Sequence, residues 1–198
     1  MSNITSAATA KHPMTVEQYI AFEEHAEVRH EYINGNLIPM PGTTSDHNYL
    51  CMNLVQALRL LQRLHGLSDY RIFQENVKVQ ITSERDYTYP DIMITNDPRD
   101  RKNQYIKKYP VVIFEVLSKT SRSEDSSDKF IRYKNIESLR NYILVDSEKK
   151  VVEVRVKSAD EVWVAESFVE SDACFPVPAL GIELPFDDVY EGVTFGKL

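Results

Sequence analysis

The run at 111–117, VVIFEVL, constrains this chain more than any other stretch. Val111, Ile113 and Leu117 alternate with Val112, Phe114 and Val116, so the segment fits a strand covered on both faces, in the middle of a sheet. Glu115 stands inside it. A carboxylate there costs several kcal/mol, roughly, unless it is paired or takes up a proton. The sequence YPDIMI repeats the oddity: Asp91 and Met93 share one face, Ile92 and Ile94 the other. Pro90 fits the first residue of a strand, where the missing N–H matters least. Two carboxylates projecting from neighbouring strands can hold a hard divalent cation. They also fit ordinary buried ion pairs with Arg or Lys.

A lysine follows. In DSSDKFIRYKNIESL, residues 125–139, Asp125 or Ser126 can cap a helix that places Lys129, Arg132, Tyr133 and Ile136 on one face. Phe130, Tyr133 and Ile136 form an overlapping apolar stripe, so Lys129 lies beside the buried side, where its stem can run along apolar surface and deliver an ammonium into a cleft. Lys119 is closer to Glu115 in sequence. However, at about 3.3 Å per residue the chain there is past the strand end, roughly 10 Å away, in a loop rich in Ser and Thr.

These residues resemble a known signature. Pro90-Asp91 followed by Glu115 in FEVLS looks like the PD-(D/E)XK nuclease pattern. The ordered set EYINGNLIPMPG, EVLS, the Asp-Lys and Tyr helix, and NYILVD is similar to the Uma-two family of restriction-endonuclease-like proteins, over about residues 14–193. The third position of Glu115-Val116-Leu117 departs from the wider pattern, with leucine where lysine is usual, and the family resemblance implies that Lys129 supplies the missing cation. It further implies an α/β restriction-endonuclease-like fold, with a mixed central β-sheet flanked by helices and extra C-terminal strands. The implied activity is Mg²⁺-dependent hydrolysis of DNA phosphodiester bonds, with Mn²⁺ as the substitute ion. Asp91, Glu115 and Glu31 would hold the metal and Lys129 would act on the phosphate. A homodimer is expected by analogy with nucleases that cut both strands. The alternatives are a catalytically silent nucleic-acid-binding or toxin-like interaction module that keeps the fold, and a structural protein with buried ion pairs.

At 198 residues the chain suits one domain, expected over 14–198 behind a disordered lead at 1–13. The lead has no apolar core and does not read as a secretory signal. Cys51 and Cys174 form no metal-type pair, Cys51 fits a helix core, and a reducing cytoplasm is the natural compartment. The histidines lack zinc spacing, and His47 reads as a cap-region residue. A net charge of −7 argues against nonspecific wrapping of DNA. A local basic surface remains open through Arg99, Arg101, Lys102, Lys107 and Lys108, with Lys119 and Arg122 beyond, although a solvated loop fits the same residues.

The remaining elements follow from local signals. Thr15 and Gln18 form a capping-box pattern. Asn34-Gly35 turns a hairpin that carries Glu31. A long amphipathic helix from Ser45 to about His65 buries Leu50, Leu54, Leu58 and Leu61 and stops at Gly66. Residues 71–81 read as one strand that bends near Gln74. NYILVD, VVEVRVKS and EVWVAESFVE supply further strands, Trp163 packs in the core or at a sheet edge, and a proline-containing tail closes the fold.

Overall fold

Both residues of the Asn34-Gly35 pair hold positive φ, 50° and 84°, as a two-residue type I′ turn requires. They join β1 (His30–Ile33) to β2 (Asn36–Pro39), with Ile33 opposite Asn36. The computed structural model describes residues 13–40, 42–81, 85–118 and 125–195. The expected lead, up to residue 12, lies outside them, as do Lys119 and Arg122. Ahead of the hairpin, α1 (Val16–Glu23) opens on the expected capping box, Thr15 and Gln18 each accepting from the other's backbone N–H.

The stretch 71–81 is two strands in two sheets. β3 (Arg71–Gln74) and β4 (Lys78–Ile81) are separated by Glu75 and Asn76, both at positive φ (44° and 37°). The partner arm breaks at the same level, into β5 (Asp86–Thr88) and β6 (Ile92–Thr95). Gln74 faces Ile92 while Val79 faces Thr88, so residues 75–78 on one arm are opposed by 89–91 on the other. That mismatch is a β-bulge, which bends the ribbon sharply. Glu75 N–H donates to Asp91 C=O (2.9 Å) across the bend. Beyond it, β4 and β5 join a five-stranded sheet in the order β2-β1-β5-β4-β7, where β7 is Ile106–Lys107.

Before the bend, β3 and β6 belong to a six-stranded mixed sheet. Its order is β11-β10-β9-β8-β6-β3, with β8 (Val112–Leu117), β9 (Asn141–Asp146), β10 (Val151–Lys157) and β11 (Trp163–Val169). β8 runs parallel to β9 and antiparallel to β6. Every residue of β8 is buried, as expected of a strand covered on both faces. On one side, Val112, Phe114 and Val116 meet Leu50, Leu54 and Leu58 of α2 (Ser45–Leu64) and the C-terminal segment. That segment comprises β12 (Cys174–Val177), β13 (Ile182–Pro185) and a short closing helix, and Asn53 ties α2 to it through the carbonyls of Val189 and Glu191. On the other side, Ile113 and Leu117 pack with Val79 and Ile81 of the five-stranded sheet and with Tyr133, Ile136 and Leu139. The six-stranded sheet is therefore the mixed central sheet flanked by helices, and the five-stranded sheet is an addition.

The helix after β8 is shorter than its periodicity predicts. One π-helical turn over Asp125–Lys129 leads into α3 (Phe130–Tyr133), and Ile136 is buried beyond its end. Asp125 lies inside the wound segment rather than ahead of it. Among the described residues, no helix is long and apolar enough to cross a membrane.

Gly35 tests the hairpin. A Cβ there would lie 2.5 Å from Pro13 Cβ on a backbone at φ +84°, whereas Gly66, at φ +68°, faces open space. Gly35→Ala is expected to lower the unfolding free energy by about 2–3 kcal/mol and Gly66→Ala by about 1 kcal/mol, as measured by urea denaturation. Equal losses would remove the Pro13 contact from the argument.

Candidate functional site

The bend between the two sheets and the end of β8 build one site. Ile92 pairs with Phe114, so one further step along the register sets Asp91 against Glu115, and side chains directly opposite share a face. Asp91 Oδ2 accepts from Val116 N–H at 2.7 Å and lies 3.2 Å from His47 Nε2. Glu115 is 2% exposed and is held at both oxygens: Tyr133 donates its hydroxyl to Oε1 (2.9 Å) and Lys129 its ammonium to Oε2 (3.0 Å). Thr88, from the five-stranded sheet, donates to the Tyr133 hydroxyl (3.0 Å), which locks that donor onto Glu115.

Lys129 is aimed by its neighbour. Phe130 packs between Tyr142 (5.5 Å between ring centres) and the edge of Trp163 (5.2 Å), with the Arg155 guanidinium 4.3 Å over its face. This clamp fixes the π turn against the sheet, so the Lys129 stem leaves it in a defined direction. Trp163 is a sheet-edge aromatic, as expected, and its partner is the helix that carries the lysine.

The structure brings Asp91, Glu115 and Lys129 together. Glu31, on β1, stands at the rim with one carboxylate oxygen buried, and its charge reaches the Tyr133 hydroxyl. Burial, the Glu115 charge and the Glu31 charge all hold that phenol well above its ordinary range, so it stays a donor. The donor chemistry fits a divalent cation: carboxylates of Asp91 and Glu115 on adjacent strands, Glu31 behind them, and an imidazole at Asp91.

His47 and Glu75 were not among the sequence-predicted ligands. The Thr44 hydroxyl accepts from the backbone N–H of His47, which is the cap-region role, but the ring itself is buried and turned to Asp91. A signal was present: His47 lies on the stripe of Leu50, Cys51, Leu54 and Leu58, where a polar residue requires a partner. Cys51 is a fully buried core residue, as expected, and burial and the nearby carboxylates push its thiol well up. It faces the other ring nitrogen of His47, with Sγ 3.7 Å from Nδ1.

The basic loop is only partly a free surface. Lys107 is buried and donates to the carbonyls of Asp100 and Asn103. Arg99 pairs with Asp97 and stacks 3.6 Å over Tyr109. A different basic surface appears at the far end of α2, where an open groove of about 710 Å³ is walled by Arg59, Arg63 and Arg71 with Tyr70 and Phe73. At 1.5 Å per residue, Arg63 is roughly 24 Å along the helix from His47.

Residues 16–187 match the Uma2 family, described as "Putative restriction endonuclease". The chain belongs to that family. Two relatives from Synechocystis sp. (strain ATCC 27184 / PCC 6803 / Kazusa) carry the name uncharacterized protein. One, slr1290, is 30% identical over 92% of this chain and 94% of its own length. The other, sll1609, is 33% identical over 81% of this chain and 90% of its own length. Among solved structures, that of "a putative nuclease belonging to DUF820" from Anabaena variabilis ATCC 29413 matches 92% of this Uma2 chain and 100% of its own. The TM-score is 0.74 at 21% identity, a likeness that shows the α/β restriction-endonuclease-like fold.

The Asp91–His47 contact has a pH signature in the metal-free protein. Burial works against a charged His47, but the hydrogen bond and charge of Asp91, with the charge of Glu75, outweigh it, and the imidazole is held above its usual 6.5. Because the folded value is raised, the contribution to stability is fully present below about pH 6.5 and is lost as pH rises through the folded value. Imidazole NMR titration should therefore place His47 above 6.5 in the wild type and lower in Asp91→Asn. A His47 that titrates normally in both proteins would refute the contact.

Proposed function

We propose that this Uma2 protein hydrolyses phosphodiester bonds of DNA at the Asp91–Glu115 site, with Mg²⁺ or Mn²⁺ as the resident ion. The observation that carries the reading is the convergence of two strand carboxylates with an ammonium fixed by a clamped helix turn. A bound divalent cation would supply positive charge for the scissile phosphate and lower the pKa of a water. Asp91 and Glu115 are the ligands, and Glu31 holds water or completes the set from the rim. The backbone N–H of Val116 and the hydroxyl of Tyr133 orient the two carboxylates.

Lys129 works on the phosphate. An ammonium has three donors, so holding Glu115 leaves it able to bind a non-bridging phosphate oxygen and stabilise charge as it develops. In the hydrolysis a water oxygen bonds to phosphorus, its proton passes to solvent or a carboxylate, and one P–O ester bond breaks with its electrons going to the leaving oxygen. The arginine-walled groove offers a path for a phosphate backbone in an acidic chain. A homodimer would pair two such centres, one for each strand of a duplex, and the free thiols of Cys51 and Cys174 suit a reducing cytoplasm. The rival reading, a nucleic-acid-binding module without turnover, draws on the direct Lys129–Glu115 ion pair, which already neutralises the carboxylate.

Cleavage of single- and double-stranded DNA with Mn²⁺, Mg²⁺ or EDTA separates the two readings. Asp91→Asn and Glu115→Gln should each lower single-turnover cleavage at least about a hundredfold and abolish the rise in melting temperature with Mn²⁺. Lys129→Ala should lose cleavage to a similar degree with that rise retained. A metal-bound wild type that binds but never cuts DNA would establish the silent module.

Affinity for DNA tests the groove. Replacing Arg59, Arg63 and Arg71 by Ala should weaken binding about tenfold or more at low salt and flatten its salt dependence by up to about three phosphate contacts. Replacing Lys102 and Lys108 should change it less. The reverse order would move the DNA path to the 99–108 loop.

A further inference from the structure

We propose that His47 and Glu75 are cation ligands beside Asp91, and that this imidazole-containing set selects Mn²⁺ over Mg²⁺. The inference rests on the reading of Asp91 and Glu115 as a metal site and specifies which ion that site takes.

The geometry starts at His47. The residue is 6% exposed, and Nε2 lies 3.2 Å from Asp91 Oδ2, a separation typical of two atoms that ligate one ion. Its other nitrogen, Nδ1, faces Cys51 Sγ at 3.7 Å. A metal-binding histidine commonly directs its second nitrogen at an outer partner that fixes ring orientation and tautomer, and Cys51 occupies that place. The thiol cannot share an ion held at Nε2, because it lies at the opposite nitrogen. His47, Cys51 and Asp91 have donor atoms within 4.8 Å of one another, but they make a ligand pair with a positioning residue rather than a three-donor site.

Glu75 supplies the second observation. Its Oε1 is buried and has no hydrogen-bond partner among the described residues. Such an oxygen is costly unless something satisfies it. The residue is also held in the left-handed region (φ 44°) at the bulge, its N–H bonded to the Asp91 carbonyl. A non-glycine residue there is strained and persists where the surroundings demand it. The bulge ties the two backbones together, and the Glu75 charge is felt at both His47 and Cys51. Bend, strain and buried oxygen all occur at one residue on the flank of Asp91. The bulge accounts for the bend and the strain, and a cation accounts for the buried oxygen.

Ion choice follows from the donor types. Mg²⁺ takes oxygen ligands and keeps its waters, whereas Mn²⁺ accepts imidazole more readily and binds N/O sites more strongly. With carboxylates alone the site would discriminate little. With His47 in the set it favours Mn²⁺.

The test reads metal binding and needs no turnover. Calorimetry on the metal-free wild type should give an affinity for Mn²⁺ at least about tenfold above that for Mg²⁺. Pulsed EPR on bound Mn²⁺ should show imidazole ¹⁴N coupling in the unmodified protein. His47→Gln should remove that coupling and bring the Mn²⁺ affinity down to the Mg²⁺ level while the latter moves less than about threefold. Glu75→Gln should weaken both ions about tenfold with the coupling retained. Tight Mn²⁺ without ¹⁴N coupling, or equal affinity for the two ions in the wild type, would overturn the His47 assignment while leaving Asp91 and Glu115 as ligands. Unchanged binding in Glu75→Gln would remove Glu75. If the wild type binds neither ion, the metal-site reading fails along with this inference. The EPR result stands even where a variant fails to fold.

Discussion

The rest of the site depends on how the Glu115 carboxyl group is held inside β8. A carboxylate at 2% exposure loses several kcal/mol of hydration, roughly. Tyr133 and Lys129 return part of this as charge-assisted hydrogen bonds, which are about twice as strong as neutral ones. Both donors come from one short segment, Lys129 to Tyr133, so one piece of chain serves the two oxygens. Tyr133 in turn needs Thr88, which reaches it from the five-stranded sheet. A single buried charge thus makes the two sheets and the helix mutually dependent.

The bulge solves the complementary problem for Asp91. A regular hairpin would carry β3 and β6 straight on, and Asp91 would be one more residue of a flat ribbon. The extra residue on the Glu75 side bends the ribbon, and Asp91 falls at the corner. There its oxygen meets the N–H of Val116 and the ring of His47. Pro90, which has no N–H to satisfy, and the left-handed pair Glu75-Asn76 are the local means of turning. The strain stored at that pair is the cost of pointing a carboxylate from the corner towards the end of β8 and the start of α2.

Much of this was legible in the residues. An unbroken apolar run must be a covered strand, so β8 and the oddity of Glu115 followed from composition on two faces. The hairpin at Asn34-Gly35, the capping box at Thr15 and the end of α2 at Gly66 followed from backbone rules that hold locally. The bulge did not: residues 71–81 alternate well enough for one strand, and only the pairing with 86–95 shows that one arm carries an extra residue. β5 and β7, a few residues each, are too short for periodicity and exist through their partners. His47 was half legible for a related reason. Its position near a helix start explains its backbone hydrogen bond, but its ring answers to Asp91, distant in sequence and adjacent only once α2 lies on the sheet. Lys107 shows the converse. A lysine in a charged loop reads as a surface cation, yet its ammonium closes the loop's own carbonyls.

The position of the lysine has a physical logic of its own. Leu117 stands where the wider nuclease pattern has a cation, and its side chain lies in the apolar cluster with Ile113, Leu144 and Tyr133. An ammonium at that point would have to leave a packed layer to reach the carboxylate. Lys129 approaches from outside that layer, its side chain 18% exposed, so its head is partly hydrated and loses less on binding Glu115. The stem is directed by Phe130, which is gripped by Tyr142, Trp163 and Arg155. Moving the cation from strand to helix therefore separates two requirements that one residue on β8 would have to meet together, filling the core and serving the site. Leu117 does the first. Lys129 is left to the second, and the aromatic clamp beside it limits the freedom that a longer approach would otherwise introduce.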